Sequence, residues 1–353
     1  MNRERFAGAA YGLAAAALFG MSTPFAKALL GVIDPWLLAG LLYLGSGFGL
    51  LLCRAFARQF SAAPREAPLR RPDLPWLAGA VLAGGVAGPV LLMIGLTRTP
   101  ASSAALLLNL EGLATMAIAW LVFREHADRR ILIGAFAILA GAALLSWRGE
   151  AAGFSFGALA IAGACVAWGI DNNLTRKVSA ADPMQIAMVK GLAAGGVNFA
   201  LALGQGAPLP ASASVVAAGC VGFLGYGVSL VFFVLALRRV GAARTGAYFS
   251  AAPFIGATLG VVLLAEPASW RLLAAAGLMA FGLYLHLAER HEHAHVHEPL
   301  EHEHAHTHDA HHQHAHAHDA PPGEPHAHRH RHERMAHSHP HFPDLHHRHD
   351  HPA

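Results

Sequence analysis

Ten mainly apolar stretches follow one another along the 353-residue chain, at 8–31, 35–53, 75–97, 102–123, 131–147, 157–175, 183–203, 213–237, 243–265 and 269–288. Each approaches the roughly 20 residues that a helix needs to cross the hydrocarbon layer of a bilayer. None alternates apolar and polar residues as membrane-barrel strands do. Backbone groups in lipid must be bonded within their own segment, so these runs predict helices. Ten runs in 288 residues leave room only for short connections. The pattern then stops, and 289–353 is almost free of apolar residues. The predicted fold class is an all-α polytopic membrane protein with ten transmembrane helices and a polar tail.

Composition sharpens this picture. The chain is 54% apolar and 13% charged, with a mean hydropathy of +0.40, against about 25% charged in soluble domains. The charge is also uneven, since 24 of 26 histidines and 11 of 22 acidic residues lie from Glu289 onward. A water-soluble enzyme core is therefore excluded. The net charge of +3 does not point to nucleic acid, because the basic residues sit between apolar runs and form no patch. Cys53, Cys165 and Cys220 are far apart in or beside apolar runs, with neither disulfide-framework nor metal-finger spacing. The basic start, Arg3 and Arg5 before an apolar run, resembles a signal peptide, but the run is too long for one and reads as the first span.

Orientation follows from the basic residues. With the N-terminus inside, the inner segments hold fifteen: Arg3, Arg5, Arg54, Arg58, Arg65, Arg70, Arg71, Arg124, Arg129, Arg130, Arg176, Lys177, Arg238, Arg239 and Arg244. The outer connections hold three, Arg98, Arg148 and Arg271. Both termini are expected in the cytoplasm of a bacterium, with the bundle in its inner membrane.

The two halves of the bundle echo each other. Asp34-Pro35 and Asp182-Pro183 are offset by 148, Phe19-Gly20 and Trp168-Gly169 by 149, and Glu125, Arg130 and Gly141 match Glu266, Arg271 and Gly282 at 141. The domains expected are a first five-helix repeat over 1–148, a second over 149–288 and a disordered tail over 289–353. Five is odd, so the second repeat lies upside down relative to the first. Inverted repeats of this kind build many secondary transporters, with the site between the repeats.

At this point the residues resemble a known family. Pro100-Ala101-Ser102-Ser103-Ala104-Ala105-Leu106-Leu107-Leu108-Asn109-Leu110-Glu111 and Trp120-Leu121-Val122-Phe123-Arg124-Glu125 are similar to the EamA family of the drug/metabolite transporter superfamily. The run Gly241–Ala247, with Pro253 and Glu266, looks like the second-half counterpart. The resemblance covers about residues 8–288. It implies a small-molecule carrier, most often an exporter of metabolites or drugs, and names no substrate.

Ionisable residues inside spans are the default pathway candidates, because a charge at mid-bilayer costs several kcal/mol unless it is paired or wet. Glu111 lies mid-span and its second-half match is Ala252, so this carboxylate exists once. It is the residue expected to couple transport to a proton or touch the solute, with Asn109 before it. The alternative is a structural pair with Lys27 or Lys190. Lys190 either lines the cavity or reaches the membrane surface; Lys27 is near a span end, where such snorkelling is expected. Asp171-Asn172-Asn173 and Ser22-Thr23-Pro24 interrupt matching spans with polar groups or a helix break, marking a binding site. Pro89 and Pro253 predict kinks. Gly195, Gly196, Gly219, Gly222, Gly225 and Gly227 predict close helix contacts, and Trp36, Trp76, Trp147 and Trp270 predict interface anchors.

The tail alternates histidine with other residues at His291, His293, His295, His297, His302, His304, His306, His308, His314, His316, His318, His326, His328 and His330. So polar a segment cannot bury a core and is expected to be disordered. In an extended chain the imidazoles share a side and suit Zn, Ni, Co or Cu, so weak metal binding is expected there, though no cofactor is required. A pH response is a second use of the histidines. No span holds a metal-ligand cluster; His286 stands alone at the end of the tenth.

No Gly-rich phosphate loop or other catalytic signature is present, which argues against both an enzyme and an ATP-driven pump. The expected function is a proton-coupled secondary carrier exporting a small organic solute by alternating access. The alternatives are a divalent-metal carrier whose tail collects ions, and a membrane-anchored metal sensor or store. The partners expected are a small-molecule or ion substrate and the lipid bilayer; a homodimer is compatible with the sequence, and nucleic acid is not expected.

Overall fold

A computed structural model describes residues 3–60, 68–123, 129–147, 154–178, 181–287, 292–297, 300–306, 326–332 and 335–340. Up to residue 287 the described chain is almost entirely helical. Its helices are α1 (Arg3–Leu29), α2 (Pro35–Phe60), α3 (Leu74–Ala80), α4 (Gly88–Arg98), α5 (Ala101–Leu107), α6 (Leu110–Phe123), α7 (Arg129–Ser146), α8 (Phe156–Val178), α9 (Pro183–Gly204), α10 (Ser212–Gly222), α11 (Ser229–Phe249), α12 (Ala252–Leu263) and α13 (Trp270–Leu287). Six stretches among the described residues are long and apolar enough to cross a membrane: Phe6–Leu29, Pro35–Phe56, Arg71–Arg98, Ala101–Val122, Pro183–Gly204 and Ser212–Ala236. The outer surface is itself apolar, with Phe136 74% and Val262 68% exposed, which suits hydrocarbon better than water.

Sequence punctuation explains the helix starts. Asp34 Oδ1 accepts from the Trp36 and Leu37 amides at 2.9 and 3.2 Å, and Asp182 Oδ1 accepts from Met184 and Gln185 at 2.9 and 3.2 Å. The repeated Asp-Pro is thus one N-cap used twice, with proline where its missing N–H costs nothing.

The interruptions fall elsewhere than the polar tracts suggested. α1 runs unbroken through Ser22-Thr23-Pro24, and α8 through Asp171-Asn172-Asn173. The breaks are at Leu108–Asn109, between α5 and α6, and at Ser250–Ala251, between α11 and α12. Pro253 follows the second break in the first turn of α12. π-helical segments at Val81–Ala87 and Phe223–Val228 join α3 to α4 and α10 to α11, and Pro89 follows the first of them. A connection was expected near 238–242, where α11 is helical throughout. The rings of Phe233 and Phe249 are nevertheless 5.0 Å apart, whereas sixteen residues of straight helix would separate them by about 24 Å. The chain therefore doubles back within this element.

The most extensive contacts join early helices to late ones: α2 with α9, α1 with α11 and α12, α7 with α13, and α8 with α4 and α6. Glycines permit the closest crossing. A Cβ on Gly47 would lie 2.6 Å from Leu192 N, and one on Gly195 would lie 2.6 Å from Leu44 N, so α2 and α9 meet backbone to backbone. In the tail, β1 (Glu292–His297) pairs antiparallel with β4 (Met335–Pro340), and β2 (Leu300–His306) with β3 (His326–His332). Alternation favours extended backbone, and extended backbone pairs, although a two-stranded ladder is marginal by itself.

Gly195→Val is expected to cost about 1–3 kcal/mol by overpacking, read as a lower thermal midpoint of the purified protein. Gly196→Val should leave the midpoint unchanged, since a Cβ there meets nothing within 4 Å.

Candidate functional site

The break at Leu108–Asn109 sets up the site. The Asn109 side chain turns back to Leu106 O at 2.8 Å and lies 3.8 Å from Met279 Sδ, so this predicted solute contact is spent on closing the turn. Glu111 then falls in the first turn of α6, where unpaired amides and the helix dipole favour a carboxylate. Its Oε1 accepts from Asn172 Nδ2 on α8 at 3.0 Å, and the same amide reaches Thr115 Oγ1 at 3.1 Å. Asn173 Nδ2 donates to Thr115 O at 3.1 Å and Gly169 O at 2.9 Å. Gly169 makes the approach feasible, because a Cβ there would stand 2.9 Å from the α6 backbone at Ala114.

Neither lysine pairs with Glu111. Lys190 Nζ on α9 donates to Asp171 Oδ1 at 2.6 Å, Asp171 Oδ2 at 2.7 Å and Thr175 Oγ1 at 3.3 Å. The Thr175 hydroxyl donates to Asp171 Oδ1 at 2.8 Å, completing a half-buried ionic triad. Gly84, inside the π-helical segment, leaves room for it: a Cβ there would overlap Asp171 Oδ2 at 2.0 Å. A π-helical segment frees carbonyls from the helix ladder. Here Gly84 O accepts from Tyr43 OH and Trp168 Nε1, each at 2.9 Å, and Gly85 O accepts from Asn198 Nδ2 at 2.9 Å.

Aromatic rings extend from this cluster. Tyr43 and Tyr226 are 5.7 Å apart, Tyr226 and Phe19 5.8 Å, and Phe19 and Phe249 5.4 Å, centroid to centroid. The Ser22 hydroxyl beside these rings donates to Phe19 O at 2.6 Å. Glu111, Tyr43 and Tyr226 are half-buried and Asn172 is exposed. Such groups line a crevice inside the bundle. Of these residues, sequence reasoning singled out Glu111, Asp171, Asn172 and Lys190. It missed Tyr43, Thr115, Trp168, Thr175, Asn198 and Tyr226, whose only signal was a side-chain donor or acceptor inside an apolar run.

Lys27 lies apart from this cluster. It sits at the α1–α2 end of the bundle, donating to Leu96 O and, at 3.1 Å, to Thr99 O, the carbonyls that α4 leaves open at its C-terminus. Beside it both Glu266 oxygens accept from the α5 N-terminus, from Ala101 N at 2.6 Å and Ser102 N at 2.8 Å. At the opposite end Arg54 pairs with Asp182. Among the described residues searched, no three His, Cys, Asp or Glu side chains gather as a metal site. Of the fourteen predicted ligands, His291, His308, His314, His316 and His318 lie outside the described residues, and the other nine are described by their backbone alone.

The match to known proteins is decisive for family. The EamA-like transporter family matches residues 6–147 and 155–288. The chain belongs to it. An uncharacterised transporter of Methanothermobacter thermautotrophicus is 29% identical over 275 residues, covering 73% of this chain and 79% of that one. A crystal structure 23% identical in sequence superposes with a TM-score of 0.56, over 79% of this chain and 96% of the other, and shows the fold alone. This EamA-family chain is thus an integral membrane protein and a transporter rather than an enzyme.

Asp171→Asn leaves the Lys190 ammonium enclosed without its counter-charge and is expected to destabilise the protein by about 3–5 kcal/mol. Adding Lys190→Met should recover most of that loss in the same thermal-unfolding measurement.

Proposed function

We propose that this protein is a secondary carrier that exports a small organic solute from a bacterial cytoplasm by alternating access, coupled to protons through Glu111. The observation that carries this reading is a single carboxylate, deep in the bundle, at the start of a broken helix, with no ammonium partner and with solvent access. A carboxylate so placed changes charge at modest cost and suits exchange of a proton for solute. Half-helix ends at mid-membrane are where secondary carriers place their sites.

Ten membrane passes in two inverted five-helix repeats are the architecture this reading requires. Three features support it. The family matches the chain in two segments of similar length. The helix breaks at 108–109 and 250–251 and the π-helical segments at 81–87 and 223–228 recur at offsets of about 142. Asp171 packs on Gly84, and Ser22, its counterpart at offset 149, packs on Gly225, the counterpart of Gly84 at offset 141. The inward orientation of both termini rests on the distribution of basic residues. In this arrangement the Lys27–Glu266 end is outer and held shut by four hydrogen bonds between side chains and helix ends.

A growth screen of a deletion strain against toxic metabolites, drugs and metals in parallel identifies the solute. With that solute, Glu111→Gln is expected to abolish uptake driven by a pH gradient in inverted vesicles; unchanged uptake removes Glu111 from the mechanism. Deleting 289–353 should leave transport largely intact. Loss of transport confined to low metal concentrations would instead make the histidine tail an ion collector for a divalent-metal carrier.

A further inference from the structure

Within the crevice, the fixed charges do not balance. Lys190 has three N–H donors, and all three are spent, two on Asp171 and one on Thr175. Asp171 in turn receives the Thr175 hydroxyl as well as the ammonium. This triad is electrically closed and has no donor left for an incoming anion. Lys27 is held by two backbone carbonyls at the end of the bundle. Glu111 is left with one negative charge, and only the neutral Asn172 amide touches it.

The vacant polar atoms have one character. No described residue donates to Glu111 Oε2, and both amide hydrogens of Asn172 are directed at Glu111 and Thr115, leaving its carbonyl oxygen open. The hydroxyls of Tyr43, Ser22 and Thr115 are already engaged, with Gly84 O, Phe19 O and Glu111 O. The free atoms are therefore acceptors, and a ligand that satisfies them must donate. The remaining wall is aromatic, running from Tyr43 through Tyr226 to Phe19, and ring faces attract cations.

From this we infer that the crevice takes a small organic monocation with N–H donors and an apolar or aromatic body, an arylalkylammonium for example, its ammonium against Glu111 and its body along the tyrosines. The inference rests on the carrier reading above and names the solute class for the same site. A zwitterion or a carboxylate would bring a negative group for which the described residues of the crevice offer no free cation.

The test is binding to the full-length protein in nanodiscs, followed by tryptophan fluorescence and calorimetry. The probes are 2-phenylethylammonium, the neutral 2-phenylethanol, the anion 3-phenylpropionate and the zwitterion phenylalanine. The ammonium is expected to bind at least about tenfold more tightly than the other three, the factor that 1.4 kcal/mol represents. Glu111→Gln should remove that preference, and Glu111→Asp should restore part of it. Tyr226→Leu, which keeps the carboxylate, should weaken the ammonium about three- to fivefold while leaving the alcohol unchanged. Phenylalanine or phenylpropionate binding as tightly as the amine would overturn the inference, as would an amine affinity untouched by Glu111→Gln. Proteoliposomes loaded with the same probes separate the two levels. An amine bound through Glu111 but never moved would sink the carrier reading and leave the site standing. A neutral or acidic solute moved through Glu111 would sink the cation inference and leave the carrier.

Discussion

Every polar group taken into hydrocarbon must find its partner inside the protein, and this requirement organises the whole bundle. An unsatisfied backbone group there costs several kcal/mol. At three departures from the regular ladder, specific side chains meet the freed groups. The π-helical segment at 81–87 opens Gly84 O and Gly85 O, and Tyr43, Trp168 and Asn198 close them. The end of α4 is met by Lys27 and the start of α5 by Glu266. Irregularity is tolerated because it is answered residue by residue.

One irregularity is answered only in part. Breaking the helix at Leu108–Asn109 brings the Glu111 carboxylate to a helix N-terminus, where the backbone favours its charge, and Asn172 supplies one donor. The neighbouring ionic triad is fully satisfied by contrast. The two carboxylates thus differ in kind: Asp171 fastens α8 to α9 through Lys190, whereas Glu111 remains available to a mobile partner. In the proposed carrier that difference separates architecture from transport chemistry in a space of a few side chains.

Close packing couples the two. Helices early in the chain lie chiefly against late ones, and at the α2–α9 crossing the glycines bring main chain against main chain. Such interfaces hold little side-chain bulk, so helices can change their crossing without repacking large groups. Charged caps sit at both ends of the bundle, Lys27 and Glu266 at one and Arg54 with Asp182 at the other. They are polar contacts that solvent can replace, as the proposed alternating access requires.

Much of this was legible in one dimension. Apolar runs of membrane length, the repeated Asp-Pro caps and the single mid-span carboxylate are local properties, because a helix in lipid satisfies its own backbone and its composition alone decides whether it can enter. The six stretches long and apolar enough to cross a membrane, the N-caps and the family follow from that. Who pairs with whom was not legible. The choice of Asp171 over Glu111 by Lys190, the docking of Lys27 on α4 and the placement of the breaks away from the Asn-rich and Ser-Thr-Pro tracts depend on helices distant in sequence crossing at particular glycines. Hydropathy records what each segment prefers to touch, lipid or protein. Only the tertiary crossing decides which donor meets which acceptor, because partners separated by up to 214 residues share no local signal.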